Sequence, residues 1–300
     1  MRVVFMPKSI LVTGAQGQLG SELRQLSDLY ADFTFTFISR NELDLSNSEA
    51  IQTWFVDKTF DVIINCAAYT AVDKAQTEPD LARAINSTAV ETLARIAKAH
   101  NSALIHISTD YVFNGKNYQP YNETDLTDPQ DIYGQTKLEG EQAMLAVNPE
   151  KSVIIRTSWV YSQFGNNFVK TMLRLGKERD ELGVIYDQVG SPTSARDLAL
   201  AILAIILHPK LESLTATEIY HFSNEGVCSW YDFAKTIFEL SAISCRVKPI
   251  ETKDYPTPAT RPHYSLLNKA KIKNTFDLTI PYWKDSLIDC LENLTGNNTF

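Results

Sequence analysis

In the first half of this chain, short apolar runs typical of buried strands alternate with segments whose apolar residues recur at helical spacing. The apolar runs predict strands at 9–13, 33–38, 61–65, 103–108 and 152–156. The amphipathic segments predict helices at 18–28, 48–56, 80–100 and 133–146. Strands and helices that alternate in this way predict an α/β fold with a Rossmann-like, doubly wound parallel sheet.

The alternation becomes less regular after about residue 160. The pattern predicts helices at 168–179, 195–207 and 230–240, a strand at 218–222, and an ordered proline-rich loop at 255–262. We therefore predict two domains that are interleaved in sequence. A dinucleotide-binding domain would take residues 1–160 and about 190–225, and a smaller α/β substrate domain would take about 161–189 and 226–300.

Composition narrows the range of partners. The 300 residues carry a formal net charge of −8, so general affinity for nucleic acid, which needs a basic face, is not expected. The longest apolar stretch, 198–207, is too short to span a bilayer, so no membrane partner is expected.

The chain start and the cysteines favour a cytoplasmic protein. The apolar run Met1–Phe5 is too short for a secretory signal, and Met6 offers an alternative start. The cysteines are scattered without a CxxC pair, which predicts free thiols and no zinc site; they are Cys66, Cys228, Cys245 and Cys290.

Three glycines, Gly14, Gly17 and Gly20, stand where the first predicted strand gives way to the first predicted helix. In dinucleotide sites such glycines allow a sharp turn, close approach of a pyrophosphate, and tight packing of helix on strand. The helix N-terminus then presents free N–H groups to the phosphates. The segment predicts a cofactor site, formed by Gly14, Gln16, Gly17, Gln18, Leu19 and Gly20.

The residue that follows the second predicted strand bears on the choice of cofactor. An acidic residue there would bind the ribose hydroxyls of NAD, whereas an arginine suits the extra phosphate of NADP. Arg40 stands at this place and favours NADPH, because a guanidinium can bind a phosphate through two hydrogen bonds. A plain surface arginine, with NADH also accepted, is the alternative. Asp44 and Leu45 would then lie near the adenine.

A second motif contains a candidate proton donor beside a lysine. Tyr133 and Lys137 are four residues apart, so on a helix they share one face. A nearby ammonium lowers the pKa of a tyrosine and lets it protonate a developing alkoxide. Thr109 follows the strand predicted at 103–108, at the sheet edge where ligands bind, and its hydroxyl can bind a carbonyl oxygen. The two motifs together predict an enzyme that moves hydride to or from an oxygen-bearing carbon.

Longer blocks resemble the extended short-chain dehydrogenase/reductase family, and within it the reductases of dTDP-linked keto sugars. The blocks cover 65–75, 107–113, 156–161, 165–168, 187–193 and 255–262. The resemblance implies NAD(P)H-dependent reduction of the 4-keto group of dTDP-6-deoxy-L-lyxo-4-hexulose. Tyr133 would be the proton donor, Lys137 its electrostatic helper and a ribose ligand, and Thr109 the hydroxyl that binds the carbonyl.

The same resemblance implies further binding residues. Ala67, Ala68 and Tyr69 would contact the cofactor, and Asn86 would support Lys137 through a water molecule. The sugar pocket would take Val72, Asp110, Trp159 and Asn167, although Trp159 could instead be plain core. Arg261 would meet the nucleotide diphosphate, with Lys170 and Arg174 as weaker candidates.

Some members of that family form a dimer around a magnesium ion that is bound by glutamates. Glu22 matches one of those ligands, but Arg196 stands where another would be, and a cation there would repel Mg²⁺. We therefore expect no metal site, and a monomer rather than a magnesium-linked homodimer.

Other functions stay open at this point. One alternative is a reductase, epimerase or dehydratase of another nucleotide sugar; a dehydratase would carry an acidic pair beside Thr109, where only Asp110 follows. Another is a regulatory subunit of the same fold that binds NADP without consuming it. His106 lies in an apolar run and is expected to be a satisfied core histidine rather than a base.

Overall fold

A parallel sheet of six strands forms the centre of the computed structural model, which describes residues 7–296. The described residues contain twelve strands, of which β1 to β5 and β10 form this sheet. They are β1 Lys8–Thr13, β2 Phe33–Phe37, β3 Val62–Asn65, β4 Ala103–Thr109, β5 Val153–Thr157, β6 Val160–Tyr161, β7 Glu181–Ile185, β8 Val189–Gly190, β9 Thr193–Ser194, β10 Glu218–His221, β11 Cys228–Ser229 and β12 Arg246–Ile250. The segment Met1–Phe5, on which no secretory signal was predicted, lies outside the described residues.

Helices cover both faces of this sheet and build the C-terminal part of the chain. They are α1 Gln18–Leu26, α2 Ser48–Trp54, α3 Val72–Ala75, α4 Pro79–Arg83, α5 Ala89–His100, α6 Ile132–Val147, α7 Phe168–Glu178, α8 Ala195–Leu207, α9 Pro209–Glu212, α10 Trp230–Leu240, α11 Ala270–Phe276 and α12 Trp283–Thr295.

The strand order of the central sheet is β10-β5-β4-β3-β1-β2, and every neighbouring pair is parallel. The chain runs from β1 outward to β2 and then returns to place β3 on the other side of β1. This reversal creates a crevice at the carboxyl ends of β1 and β3, where ligands bind in sheets of this kind. The Rossmann-like fold predicted from the sequence is confirmed.

Alternate residues of each strand supply two separate cores, one on each face of the sheet. In β1, Ile10 and Val12 belong to the core formed with α1 and α8, and Leu11 belongs to the core formed with α2, α5 and α6. Strands that are buried on both faces must be apolar at successive positions, which is the pattern seen in the sequence.

A third apolar cluster lies apart from the sheet. It is built mainly from α7, α10, α12 and the parallel pair β7–β12, around Phe233, Ile237 and Leu287. The division into a dinucleotide-binding domain and a substrate domain stays a prediction, and this separate cluster supports it.

The structure differs from the predicted elements in several places, including the short elements α3, α9, β6, β8, β9 and β11, which were not predicted. The helix predicted at 80–100 contains a π-turn over Ala84–Thr88, which separates α4 from α5. The sequence analysis also missed β7, β12, α11 and α12. β7 buries only Leu182 and Val184, and Pro249 lies within β12, so neither strand has the continuous apolar run that reveals a buried strand.

No helix within residues 7–296 is long and apolar enough to cross a membrane. The cysteines are free thiols; Cys66 is partly buried, and the other three, Cys228, Cys245 and Cys290, are buried.

The core between α1, α8 and the sheet should dominate stability. Ile202 on α8 is fully buried, whereas Leu200 on the same helix is 38% exposed. Ile202→Ala should lower the free energy of unfolding by about 2–5 kcal/mol, because it leaves a cavity in a packed core. Leu200→Ala is the matched control and should cost less than about 1 kcal/mol. Urea denaturation measures both, and equal losses would contradict this assignment of the core.

Candidate active site

A cavity of about 730 Å³ lies along the carboxyl edge of the sheet, at the crevice between β1 and β3. Most of the residues predicted for the site line it, although they come from distant parts of the sequence. These are Gly14, Gln16, Gly17, Gln18, Leu19, Arg40, Asp44, Leu45, Ala67, Ala68, Tyr69, Val72, Thr109, Asp110, Tyr133, Lys137 and Trp159.

The turn between β1 and α1 leaves backbone N–H groups free at one end of this cavity. Gly14 has φ +65°, and a Cβ there would lie 2.7 Å from the backbone nitrogen of Ala67. Gly17 is the N-cap of α1, and no side chain caps the first turn. An uncapped helix N-terminus with no side chain in the way is a suitable site for a pyrophosphate. The loop therefore fits the dinucleotide that the sequence predicts.

Arg40 lies beyond β2, at the same end of the cavity. Its side chain is 69% exposed, and its Nη2 lies 3.6 Å from Oδ2 of Asp44. This contact is long and solvent-exposed, so it holds the guanidinium only weakly. Arg40 is therefore free to turn toward an anion at the cavity edge.

Tyr133 and Thr109 face each other at the other end of the cavity. Burial is the largest influence on the pKa of Tyr133 and raises it above its usual value. The sequence analysis expected Lys137 to lower this pKa. In the structure burial has the largest effect on this pKa, and the ammonium of Lys137 donates to the Ile107 carbonyl and lies beside His106 rather than bonding the phenol directly. Tyr133 is therefore a protonated phenol here.

Asp110 follows Thr109 and is also buried. Its Oδ1 accepts a hydrogen bond of 3.0 Å from the Thr109 hydroxyl, while its buried Oδ2 has no partner among the described residues. Burial raises the pKa of this carboxyl to about 7. A buried carboxyl oxygen without a partner, on the wall of a cavity, is suited to bind a polar ligand.

Lys137 lies beneath the cavity floor and is 1% exposed. Its Nζ donates to the backbone oxygen of Ile107 at 2.6 Å and lies 3.3 Å from Nε2 of His106. Burial lowers the pKa of Lys137 to about 8, and the negative charge of Glu141 opposes this change. Lys137 is therefore mostly charged at neutral pH and loses its charge as the pH rises through about 8.

Asn86 binds the loop after β3 directly through its side chain. Its Oδ1 accepts from the backbone nitrogen of Tyr69 at 2.8 Å, and its Nδ2 donates to the Tyr69 carbonyl at 3.1 Å. Within the described residues it makes no direct hydrogen bond to Lys137. Asn86 lies in the π-turn of Ala84–Thr88, a feature often found at functional sites. Its role is to fix the loop after β3, which lines the cavity.

Trp159 has a strained backbone on the cavity wall. Its φ is +50°, a left-handed conformation that is unusual for a tryptophan. Its ring stacks on Trp230 with 3.7 Å between centroids. This stacking holds the indole in place, and such strain is often found at binding sites.

Besides Asn86, three predicted site residues do not line the cavity. Gly20 packs beneath the loop, where a Cβ would lie 2.4 Å from the Gly14 oxygen. Asn167 was expected in the sugar pocket, but its side chain caps α7 and donates to Gln18 at 2.9 Å. Arg261 forms a bidentate ion pair with Asp73, with its shorter contact at 2.8 Å. Asn167 therefore positions the loop rather than lining the pocket.

The two weaker candidates for the diphosphate also have other partners. Lys170 donates to the carbonyl of Gly165 at 2.9 Å, and Arg174 pairs with Glu178 at 3.0 Å. Neither lines the cavity.

The sequence analysis missed a buried polar cluster behind the cavity wall. Ser108 lines the cavity and donates to Glu141, which forms an ion pair of 2.7 Å with Arg156. Both charged side chains are almost fully buried. Glu141 stands four residues after Lys137, so helical spacing alone places it on the same face.

A small hollow away from the cavity contains Glu22 and Arg196, the two residues on which the prediction of no magnesium site rests. Glu22 and Arg196 line it together, and Glu22 accepts 2.6 Å from the Ser162 hydroxyl. Burial raises the pKa of Glu22, and the charge of Arg196 opposes the rise. Within residues 7–296 no three His, Cys, Asp or Glu side chains are grouped as a metal site requires.

Comparison with known proteins decides the family. Residues 8–295 match the family model described as the RmlD substrate binding domain. The chain belongs to this family. A dTDP-4-dehydrorhamnose reductase of Aggregatibacter actinomycetemcomitans is 42% identical over 93% of this chain and 96% of its own. The enzyme of the same name from Escherichia coli strain K12 is 43% identical over 92% and 94%.

A solved structure agrees in fold and cofactor. The dTDP-4-dehydrorhamnose reductase of Bacillus anthracis, in complex with NADP, has 38% identity and a TM-score of 0.89 over 96% of this chain and 100% of its own. The resemblance drawn from the sequence blocks is confirmed. As a member of this RmlD family the chain is an oxidoreductase that uses NAD(P).

The contribution of Arg40 can be measured directly. Arg40→Ala should weaken NADPH binding by roughly tenfold or more and leave NADH binding unchanged, because only NADPH carries the phosphate that the guanidinium would bind. Arg95 is the matched control: it is 67% exposed, pairs with Glu91 at i,i+4, and does not line the cavity. Cofactor fluorescence titrations give the dissociation constants. Equal weakening of NADH and NADPH would contradict the assignment.

Proposed function

We propose that this protein reduces the 4-keto group of dTDP-4-dehydro-L-rhamnose with NADPH, which yields dTDP-L-rhamnose. One observation carries the proposal: Thr109, Tyr133 and Lys137 meet the glycine loop of Gly14–Gly20 at one cavity, although these segments are far apart in sequence. The names of the relatives support the same substrate and product.

The glycine loop, Arg40 and the loop after β3 would hold the cofactor. The pyrophosphate would bind the free N–H groups of α1, and Arg40 would bind the phosphate that distinguishes NADPH from NADH. NADPH, when bound, supplies the hydride that reduces the carbonyl carbon. Lys137 would donate a hydrogen bond to the nicotinamide ribose from the cavity floor.

Tyr133 would donate the proton. Its pKa is raised by burial, so the phenol stays protonated at neutral pH and can protonate the oxygen that becomes negative during reduction. The tyrosinate left behind is a buried anion, and the ammonium of Lys137 on the next helical turn would stabilise it. The donor and its stabilising charge are therefore on one face of α6.

Thr109 would bind the ketone oxygen through its hydroxyl, which has one proton to give. That proton is donated to Asp110 in the structure. Because the pKa of Asp110 is about 7, its carboxyl is protonated in many molecules near neutral pH and can donate to Thr109 instead. Thr109 is then free to donate to the substrate, so Asp110 would set how many molecules are ready to react.

The sugar and its nucleotide would occupy the side of the cavity near Trp159 and Val72. Arg261 is the candidate that the sequence resemblance implies for the diphosphate. To reach that diphosphate it would have to exchange its ion pair with Asp73, which is 41% exposed, for a contact with the more highly charged ligand.

The alternatives predict different outcomes in one assay. A regulatory subunit would bind NADPH and leave it unoxidised when the keto sugar is added. A reductase of another nucleotide sugar would oxidise NADPH with that sugar and be slow with dTDP-4-dehydro-L-rhamnose. The intact set of Thr109, Tyr133 and Lys137 favours catalysis over regulation.

Removing one hydroxyl group tests the proposal. Tyr133→Phe should lower turnover of dTDP-4-dehydro-L-rhamnose by about 10²–10⁴-fold, because the proton donor is lost. NADPH binding should stay within about twofold, because the phenol oxygen contributes little to it. Tyr161→Phe is the control; this buried tyrosine bonds the Trp283 carbonyl in the C-terminal cluster, and its loss should leave turnover intact. Undiminished turnover in Tyr133→Phe would overturn the assignment.

We also propose that the protein is not a magnesium-linked dimer, because Arg196 shares the hollow of Glu22 and repels a divalent cation. Sedimentation velocity should give a monomer, with the same value after a chelator is added. A dimer that dissociates with the chelator would refute this.

A further inference from the structure

A row of polar side chains crosses the interior of the sheet beneath the cavity floor. Thr13 on β1, Asn65 on β3 and His106 on β4 are register partners on adjacent strands. All three side chains are 1% exposed or less. Burying polar groups in an apolar sheet costs free energy unless they form hydrogen bonds. Packing of the sheet therefore does not by itself explain why these three side chains are polar.

The row is continuous as far as the buried ammonium of Lys137. Thr13 Oγ1 donates to Asn65 Oδ1 at 2.7 Å, and Asn65 Nδ2 lies 3.1 Å from His106 Nδ1. His106 Nε2 then lies 3.3 Å from Lys137 Nζ. His106 is neutral, because burial and the charge of Lys137 hold its pKa well below the usual range.

A neutral imidazole has one donor and one acceptor, so the hydrogen bonds along the row can have only one of two donor-to-acceptor directions. With the Asn65 amide donating to Nδ1, the proton of His106 is on Nε2 and is offered to Lys137, which must then be a neutral amine. If Lys137 is an ammonium, it donates to Nε2, the proton is on Nδ1, and the Asn65 amide is turned to accept it. Thr13 completes either direction, because a hydroxyl can donate or accept.

We propose that His106 is a positioning residue for Lys137, and that the Thr13–Asn65–His106 row reverses its hydrogen bonds when Lys137 changes its charge. In both states Lys137 Nζ keeps a partner on β4 and the same place beneath the cavity. A hydrogen bond from an ammonium is stronger than one made by a neutral amine, so the row favours the charged form, which burial opposes. This inference rests on the proposed function, in which the ammonium of Lys137 stabilises the tyrosinate of Tyr133.

Other ionisable groups also surround Lys137 and must be kept constant in any test. They are Tyr133 and Glu141 on its own helix, Arg156 on β5 through its pair with Glu141, and Asp110 and Cys66 on the cavity wall. None of them touches His106 through a recorded hydrogen bond within the described residues. Changes at His106 therefore reach Lys137 by the direct contact.

The first experiment follows the alkaline side of kcat/KM, which should show two steps: Asp110 loses its proton near pH 7 and Lys137 near pH 8. The second step is the limb to be measured. His106→Leu leaves a buried ammonium proton without an acceptor, so this limb should move to lower pH by about one to two units. His106→Gln keeps an acceptor and a donor in the side chain and should restore most of the shift. Ser152→Ala is the control: it removes a buried hydroxyl that bonds Leu104 and Glu150, away from the row, and should leave the limb unchanged.

The second experiment needs no substrate. In protein with ¹⁵N-labelled histidine, long-range ¹H–¹⁵N correlation spectra report which nitrogen of His106 carries the proton. The proton should move from Nδ1 to Nε2 as the pH rises through the titration of Lys137, and Lys137→Met should abolish this pH dependence. A tautomer that stays fixed over that range overturns the proposal.

The two experiments separate this inference from the proposed function. An active wild type whose limb coincides with that of His106→Leu overturns the role of His106 and leaves the reductase assignment intact. A wild type without turnover refutes the proposed function, while the tautomer measurement still decides whether the row responds to the charge of Lys137.

Discussion

The buried ammonium of Lys137 is the constraint on which the centre of this molecule depends. Taking a charge out of water costs several kcal/mol unless polar partners surround it. Here the partners are the Ile107 carbonyl and His106 on β4, with Glu141 one helical turn away and itself paired with Arg156 on β5. These contacts fix α6 against two strands of the sheet. The same helix carries Tyr133, so the need to stabilise one charge also sets the position of the proposed proton donor.

Burial acts in opposite directions on the two residues of this couple. It raises the pKa of the phenol, which keeps Tyr133 protonated, and lowers that of the ammonium to about 8, which keeps Lys137 charged only below that pH. In the proposed mechanism, an acid that holds its proton and a cation that would stabilise the product of proton transfer are both present at neutral pH. On the alkaline side the cation of Lys137 is lost long before the phenol of Tyr133 would ionise. The chemistry of the site is therefore limited by how well the protein supports Lys137.

The sequence predicted the central sheet well, because strands buried on both faces leave continuous apolar runs such as Ile10–Val12. It predicted the cavity for a similar reason: Gly14 and Thr109 follow strands, and the carboxyl ends of parallel strands meet at one edge. It missed the pair β7–β12, whose strands are half exposed, and the Ser108–Glu141–Arg156 cluster, which depends on packing between distant segments. Asn167 and Arg261 were assigned by resemblance alone, and the contacts of both side chains are with other parts of the protein.

The central claim is that NADPH bound in this cavity transfers hydride to C4 of a dTDP-linked keto sugar. The most direct measurement uses NADPH that carries deuterium at the transferable position, together with dTDP-4-dehydro-L-rhamnose, and locates the deuterium in the product by NMR. The account predicts dTDP-L-rhamnose with deuterium at C4 of the sugar. Cofactor that binds but is not oxidised, or deuterium at another carbon, would contradict it.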